Sequence, residues 1–536
     1  MHFDYSASYP SARVPVFARN VVATSHPLAA QAGLKMLQAG GNAVDAAVAA
    51  AAAMTVLEPC SNGLGSDAFC ILWDGQQLHG LNASGRAPRA WTREYFASRH
   101  SADAASPPRR GVDAVTVPGA VGAWLALSER FGRLPFADLL QPAIEITERG
   151  TAVPVVIAHK WALAAEVAEL VAQPGFAAAF LPHGRAPQVG ELFRFAGAAH
   201  TLRAIAATKG EAFYRGEVAA AIAAHTRAHG GALSEDDLAA FAPEWVQPIG
   251  QRYRGYTLHE LPPNGQGIAA LIALGIAERF ELPADGAAAQ HLLIEAMKLA
   301  FADTYRYVSE PSSMDVTAAQ MLDSTYLDRR AKLIDPQRAQ DFRAGNPLRG
   351  GTIYLSAADE RGMMVSFIQS NYMGFGSGVV VPGWGISLQN RGHGFSLDPQ
   401  SPNCVAPGKR PFHTIIPGFL TKDGEPAMSF GVMGGNMQPQ GHLQTLVRML
   451  DWRQNPQAAC DAPRWRFDHG LTIDVEASMP AATVQGLADR GHRIQGLRDS
   501  YQDFGAGQFI WRLGDPASDG YVAVSDARRD GLAAGW

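Results

Sequence analysis

Thr352 has the setting in this 536-residue chain that best suits covalent chemistry. It follows Gly350-Gly351 and opens an alternating run, Thr352-Ile353-Tyr354-Leu355-Ser356. Asp359-Glu360-Arg361-Gly362 then reads as a hairpin turn that returns the chain along 363–371. A turn centred on Glu360 and Arg361 would set Thr352 opposite Gln369, with Asn371 just past it. A threonine at a strand tip, behind glycine and facing polar amides, suits a chain that cleaves itself between Gly351 and Thr352. The hydroxyl would attack the preceding carbonyl, the peptide would rearrange to an ester, and hydrolysis would free an α-amine. That amine, with an unperturbed pKa of about 7.7–8.0, could then serve as general base for the hydroxyl. Taken alone, the segment also reads as an ordinary strand start after a loop.

The elements that must position this residue are legible in outline. Helical rhythm is expected over 28–38, with Gly40-Gly41-Asn42 as its stop, and again over an alanine-rich stretch, 42–54. Segments 68–73 and 77–83 alternate or run apolar around Asp74-Gly75 and predict a hairpin. Helices are predicted over 120–131, 136–148, 160–179 and 291–308, with another starting at Ser234-Glu235-Asp236-Asp237 in a capping-box-like pattern. Beyond Thr352, β-branched residues, turns and glycines dominate, apart from a helix at 438–451. A helix-rich part followed by a strand-rich part argues for an α+β fold rather than alternating β/α units. The linker is expected over 335–351, which is polar and carries Pro336 and Pro347.

Composition narrows the function classes. The chain is 47% apolar with a net charge of −5, and it has no long run of like charge to recruit nucleic acid or an anionic membrane. Its four cysteines, Cys60, Cys70, Cys404 and Cys460, have no framework or metal-ligand spacing. The N-terminus shows no basic-then-apolar leader, and the longest near-apolar run, 46–57, is too short to span a bilayer. A cytoplasmic enzyme is expected. No Gly-x-Ser-x-Gly elbow, Walker loop or His-Glu-x-x-His occurs. Gly374-Phe375-Gly376-Ser377-Gly378 runs into Val-Val-Val-Pro and reads as a turn, not a phosphate loop.

Four further segments give Thr352 its context: Gly40-Gly41-Asn42-Ala43-Val44-Asp45-Ala46-Ala47, Glu58-Pro59 through Gly65-Ser66-Asp67, Pro262-Pro263-Asn264-Gly265-Gln266-Gly267, and Gly431-Val432-Met433-Gly434-Gly435-Asn436. With Gly351-Thr352 and 374–378, in this order and spacing, they closely resemble the γ-glutamyltransferase family of N-terminal-nucleophile (Ntn) hydrolases. The resemblance implies a four-layer αββα sandwich made as one precursor. Residues 1–351 would form a helix-rich large chain and 352–536 a strand-rich small chain, both parts of one integrated fold. It casts Thr352 as nucleophile, the Gly434 and Gly435 amides as oxyanion hole, Asn371 as a group orienting the nucleophile, and Gln369 as standing where the family has a threonine beside the new amine. No metal or organic cofactor is implied, and a dimer of processed heterodimers is an expectation.

The substrate-reading positions depart from that family pattern. In Leu388-Gln389-Asn390-Arg391-Gly392-His393-Gly394-Phe395, the aspartate that grips a substrate α-ammonium falls on Gly394, and a neighbouring glutamine falls on Arg391. The paired serines for the α-carboxylate fall on His413 and Thr414, and the family arginine has its nearest counterpart in Arg86. Losing the acid while keeping Arg86, Arg391 and His413 suits a small acidic amide without an α-amine. In this the chain looks like the cytoplasmic branch that includes oxamate amidohydrolase, whose related members also deacylate glutaryl-cephalosporins. Two alternatives stay open: a γ-glutamyl transferase or hydrolase acting on glutathione or γ-glutamyl compounds, and a catalytically inactive binding protein.

Overall fold

The computed structural model describes residues 12–101, 103–342, 351–498 and 504–536. Two seven-stranded antiparallel sheets lie at its centre. One runs Leu532–Gly535, Val21–Thr24, Gly351–Ala358, Met364–Tyr372, Asp67–Trp73, Leu78–Ala83, Glu244–Val246. The other runs Val16–Ala18, Tyr521–Ser525, Gly507–Arg512, Glu425–Val432, Gly418–Lys422, Tyr256–Glu260, Ile249–Tyr253. Strands from before and after Thr352 thus share both sheets, so the helix-rich and strand-rich parts of the sequence interleave in space.

Each sheet carries helices on its outer face, which gives the four-layer αββα order. Alternation along the strand Gly351–Ala358 assigns the layers: Ile353, Leu355 and Ala357 pack into a core shared with helices Pro27–Gln38, Ala43–Leu57 and Ala120–Phe131. Tyr354 and Ala358 point the other way, into a smaller core between the sheets with Phe419, Met433 and Ile510. Helices Gly267–Ala277, Ala287–Tyr307 and Met437–Leu450 close the far side. Every residue of Ala43–Leu57 is buried, as suits a helix that is apolar apart from Asp45 and Thr55.

The segment 40–47, one of the four that carry the family resemblance, forms a helix start. Asn42 caps Ala43–Leu57 and forms a capping box with Asp45, while the Ala43 N–H donates to Asp359 Oδ2 at 2.9 Å. That bond anchors the hairpin after Thr352. The connection is a five-residue loop, 359–363, with Gly362 at φ +92° and Asp359 Oδ1 accepting from the Arg361 and Met363 N–H groups. The predicted register therefore moves by one residue: Ile353, not Thr352, pairs with Gln369. The expected single helix over 160–179 is three short ones, Val155–Ala165, Ala168–Val171 and Phe176–Phe180, broken at Pro174-Gly175. Gly175 has φ +80°, and a Cβ there would meet the Val380 carbonyl at 2.2 Å. Of the expected linker, 335–342 packs onto its surroundings, with the Ala339 N–H donating to the Arg490 carbonyl; 343–350 lies outside the described residues.

Candidate active site

Thr352 sits on the inter-sheet side of its strand and is 2% exposed. Its hydroxyl donates to Ser370 Oγ at 3.3 Å, and Gln438 Nε2 stands 3.5 Å away. Because successive strand residues face opposite sides, the one-residue shift in register exchanges the neighbours of Thr352. Gln369 points into the helical layer, where its Oε1 accepts from Trp124 Nε1 and its Nε2 donates to the Ala51 carbonyl and Asn62 Oδ1. The position beside Thr352 thus belongs to Ser370, and Gln369 does not stand there as expected. The Asn371 side chain hydrogen-bonds elsewhere than to Thr352. Its Oδ1 accepts from Ser66 Oγ at 2.8 Å and its Nδ2 donates to Ser387 Oγ at 3.1 Å, so it ties the 61–66 loop to the segment leading to Arg391.

Gly434 and Gly435 form the bend between the strand Glu425–Val432 and the helix Met437–Leu450. Their φ values of +120° and +61° favour glycine. The pair lies at a helix N-terminus, where free amides and the macrodipole suit an anion. Gln438, in the first turn of that helix, reaches Thr352, so Thr352 and the glycine pair share one corner. Gln266 holds this corner together: its Nε2 donates to the Gly435 carbonyl at 2.9 Å and to the Thr414 carbonyl at 2.6 Å.

The four candidate substrate contacts separate sharply. Arg86 is engaged elsewhere, with Nη1 on Glu310 at 2.6 Å and Nη2 on Glu244 at 2.9 Å. His413 is enclosed: Nε2 lies 3.0 Å from Asp67 Oδ2, Nδ1 accepts from the Ile415 N–H, and the ring packs against Phe69. Burial and the nearby Arg391 hold it neutral, far below the usual imidazole range. With Arg86 held by two carboxylates and His413 enclosed and neutral, neither is the free cation that the sequence suggested, and neither lines the cavity beside Thr414.

Arg391 and Thr414 belong together. Nη1 of Arg391 donates to Thr414 Oγ1 at 2.8 Å, and the guanidinium lies 4.6 Å from the centroid of the Tyr372 ring. The side chain is 1% exposed. Its Nε stands 4.0 Å from Asp67 Oδ2, beyond hydrogen-bond reach, and Nη2 meets no acceptor among the described residues. Burial lowers its pKa to about 10 and pushes Asp67 up to about 7, the latter partly offset by Arg391 itself. A buried guanidinium with two unsatisfied nitrogens is costly unless an anion completes it. Gly394, where the family's acid would fall, has no room for one: a Cβ would approach the Phe412 carbonyl to 2.8 Å.

Tyr372 and Thr414 also line a cavity of about 600 Å³, together with Arg109, Tyr305, His393 and Asn436. Sequence reasoning missed Ser370, Tyr372, Arg109, His393 and Gln438. Counting the loop as five residues would have found Ser370, and His393 stands beside the very position at which the family's acid is lost. Arg109 carries no local signal. Among the described residues, one group of side chains could ligate a metal, His291, Glu295 and His492, but Glu295 pairs with Lys298 at 2.6 Å and the two imidazoles bond each other at 2.8 Å.

Fold and relatives together define an amide hydrolase of the N-terminal-nucleophile class. The chain belongs to the Gamma-glutamyltranspeptidase family, whose profile matches residues 29–536. It is 36% identical to the oxamate amidohydrolase proenzyme of Klebsiella pneumoniae, covering 97% of this chain and 99% of that protein. It is 35% identical to the glutathione hydrolase-like YwrD proenzyme of Bacillus subtilis, covering 90% and 92% respectively. The crystal structure of cephalosporin acylase from Bacillus halodurans superposes with a TM-score of 0.94 at 50% identity, covering 100% of this chain and 99% of that one. Among the described residues, no helix is long and apolar enough to cross a membrane.

Proposed function

We propose that this chain cleaves itself before Thr352 and then hydrolyses amides whose acyl part carries a carboxylate and no α-ammonium. The observation that carries the reading is Arg391, buried, pinned by Thr414, and left with two nitrogens unsatisfied behind the cavity wall. A carboxylate is the anion a guanidinium fork best matches. Among the described residues, no carboxylate lines the cavity to hold a substrate ammonium. Oxamate is the smallest amide of the required kind, and the K. pneumoniae relative bears that name. The cavity of about 600 Å³ also admits longer acyl groups and substantial leaving amines.

The chemistry follows from the groups at the corner. Thr352 Oγ1 attacks the Gly351 carbonyl, and hydrolysis of the resulting ester frees the threonine amine. In turnover the same oxygen attacks the substrate carbonyl while the amine takes its proton. The Gly434 and Gly435 N–H groups stabilise the tetrahedral oxyanion, a contribution of about 2.7–4 kcal/mol per donor. The proton passes to the departing amine, and water then hydrolyses the acyl-threonine ester.

Intact mass and a denaturing gel, wild type beside Thr352→Ala, test the first step. Two wild-type fragments with the smaller beginning at Thr352, and an uncleaved variant, are expected. Ammonia release from oxamate, hydrolysis of glutaryl amides and hydrolysis of a γ-glutamyl anilide test the second. Preference for the γ-glutamyl compound would overturn the acidic-acyl reading, and a wild type that never cleaves would favour a binding protein.

A further inference from the structure

We propose that His393 is a specificity residue for the departing amine, accepting a hydrogen bond from an N–H or O–H donor on it. The inference rests on the reading above, in which the acyl carboxylate pairs with Arg391 behind the Thr414 wall. With that end fixed, the leaving amine is the part of the substrate left to fill the rest of the cavity, which His393 lines.

The ring is held in one tautomer. His393 Nδ1 lies 2.7 Å from the Pro107 carbonyl oxygen, which can only accept, so Nδ1 carries the proton. Ser106 Oγ stands 3.3 Å from the same nitrogen. Nε2 is therefore a bare lone pair, and it meets no partner among the described residues although the residue is only 7% exposed. Burial lowers the pKa of the ring, with Arg109 and Arg110 acting in the same direction and the Pro107 carbonyl and Glu169 against them, so the lone pair persists at neutral pH. A buried acceptor without a donor is unfavourable in the empty site and becomes satisfied when a ligand supplies one. The same lone pair would repel a leaving group that presents an acceptor or buries an apolar group there.

The test uses the processed full-length enzyme and two glutaryl anilides that differ only in a ring substituent, hydroxymethyl or ethyl. The two are similar in size, and only the first donates. Wild type is expected to favour the hydroxymethyl compound about tenfold in kcat/KM. His393→Phe, or His393→Ala if the larger ring blocks processing, is expected to bring the ratio to about one. His393→Gln, whose Oε1 can accept, should recover part of it. Because the ratio is taken within one preparation, it does not depend on the folded fraction. Equal rates on the two compounds in wild type, or an unchanged ratio in the Phe and Ala variants, would overturn the role of His393 while leaving the acidic-acyl reading intact. Failure of wild type on both glutaryl compounds would overturn that reading, and this inference with it.

Discussion

Arg391 Nη1 donates to Thr414 Oγ1 at 2.8 Å, and this bond turns a buried cation toward a wall of the cavity instead of toward a protein carboxylate. Asp67, at 4.0 Å from Nε, is the one acid close to it among the ion pairs of the described residues, and burial has already raised that acid's pKa to about 7. The site is thus built with positive charge to spare.

Replacing Arg391 by Met should therefore lower kcat/KM for carboxylated acyl amides by about a hundredfold, within the roughly 2–5 kcal/mol span of a truncated buried charge pair. Arg391→Lys should recover little, because an ammonium cannot reproduce the planar fork. Steady-state kinetics on a glutaryl amide beside an uncharged butyryl amide checks this. An equal loss on both would mean that Arg391 only supports the fold.

Ser370 and Gln369 are neighbours in sequence with opposite fates. Ser370→Ala should slow self-cleavage at least about tenfold, since it removes the group to which the Thr352 hydroxyl donates. Gln369→Ala should instead cost about 1–3 kcal/mol of stability by stranding Trp124 Nε1 and Asn62 Oδ1. Cleavage of the folded fraction should continue. Time courses on gels, paired with thermal melts, separate the two outcomes.

Gly434→Ala should process and turn over poorly. Its φ of +120° is hostile to a side chain, and the new Cβ would press within 3.1 Å of the Gly505 backbone. A loss of about 10²–10³ in kcat is expected if one oxyanion donor is displaced. Wild-type turnover in a folded variant would remove the glycine pair from the mechanism.

Asp67 gives the fold an unusual pH dependence. Burial holds its carboxyl pKa near 7, against about 3.9 in an unfolded chain, so the folded state binds the extra proton between those values. Its contribution to stability is present in full below about pH 4, is lost as the pH rises through 7, and is flat above. The slope is at most about 1.4 kcal/mol per pH unit. Asp67→Asn should flatten this part of the stability curve, read from denaturant midpoints at pH 5, 6 and 7. A wild-type curve that rises across this window relative to the variant would contradict the shift.

The family resemblance implied the αββα order, and the sequence by itself determined an α+β fold and most helix starts. These depend on local rules: an Asn42–Asp45 capping box, alternation after Thr352, glycines where φ is positive. The family motifs that surround them are likewise written in consecutive residues. Only the tertiary structure decided what faces what. The 359–363 loop is one residue longer than a four-residue turn, which brings Ser370 to Thr352 and sends Gln369 to the opposite face, because side-chain direction alternates with every residue. The cations were settled the same way. Arg86 is neutralised by Glu244 and Glu310, which lie 158 and 224 positions away, while Arg391, equally charged in sequence, is buried where no acid reaches hydrogen-bond distance. Charge is a property of the residue, but its availability depends on which distant residues the fold brings within a few ångströms, and no local pattern encodes that distance.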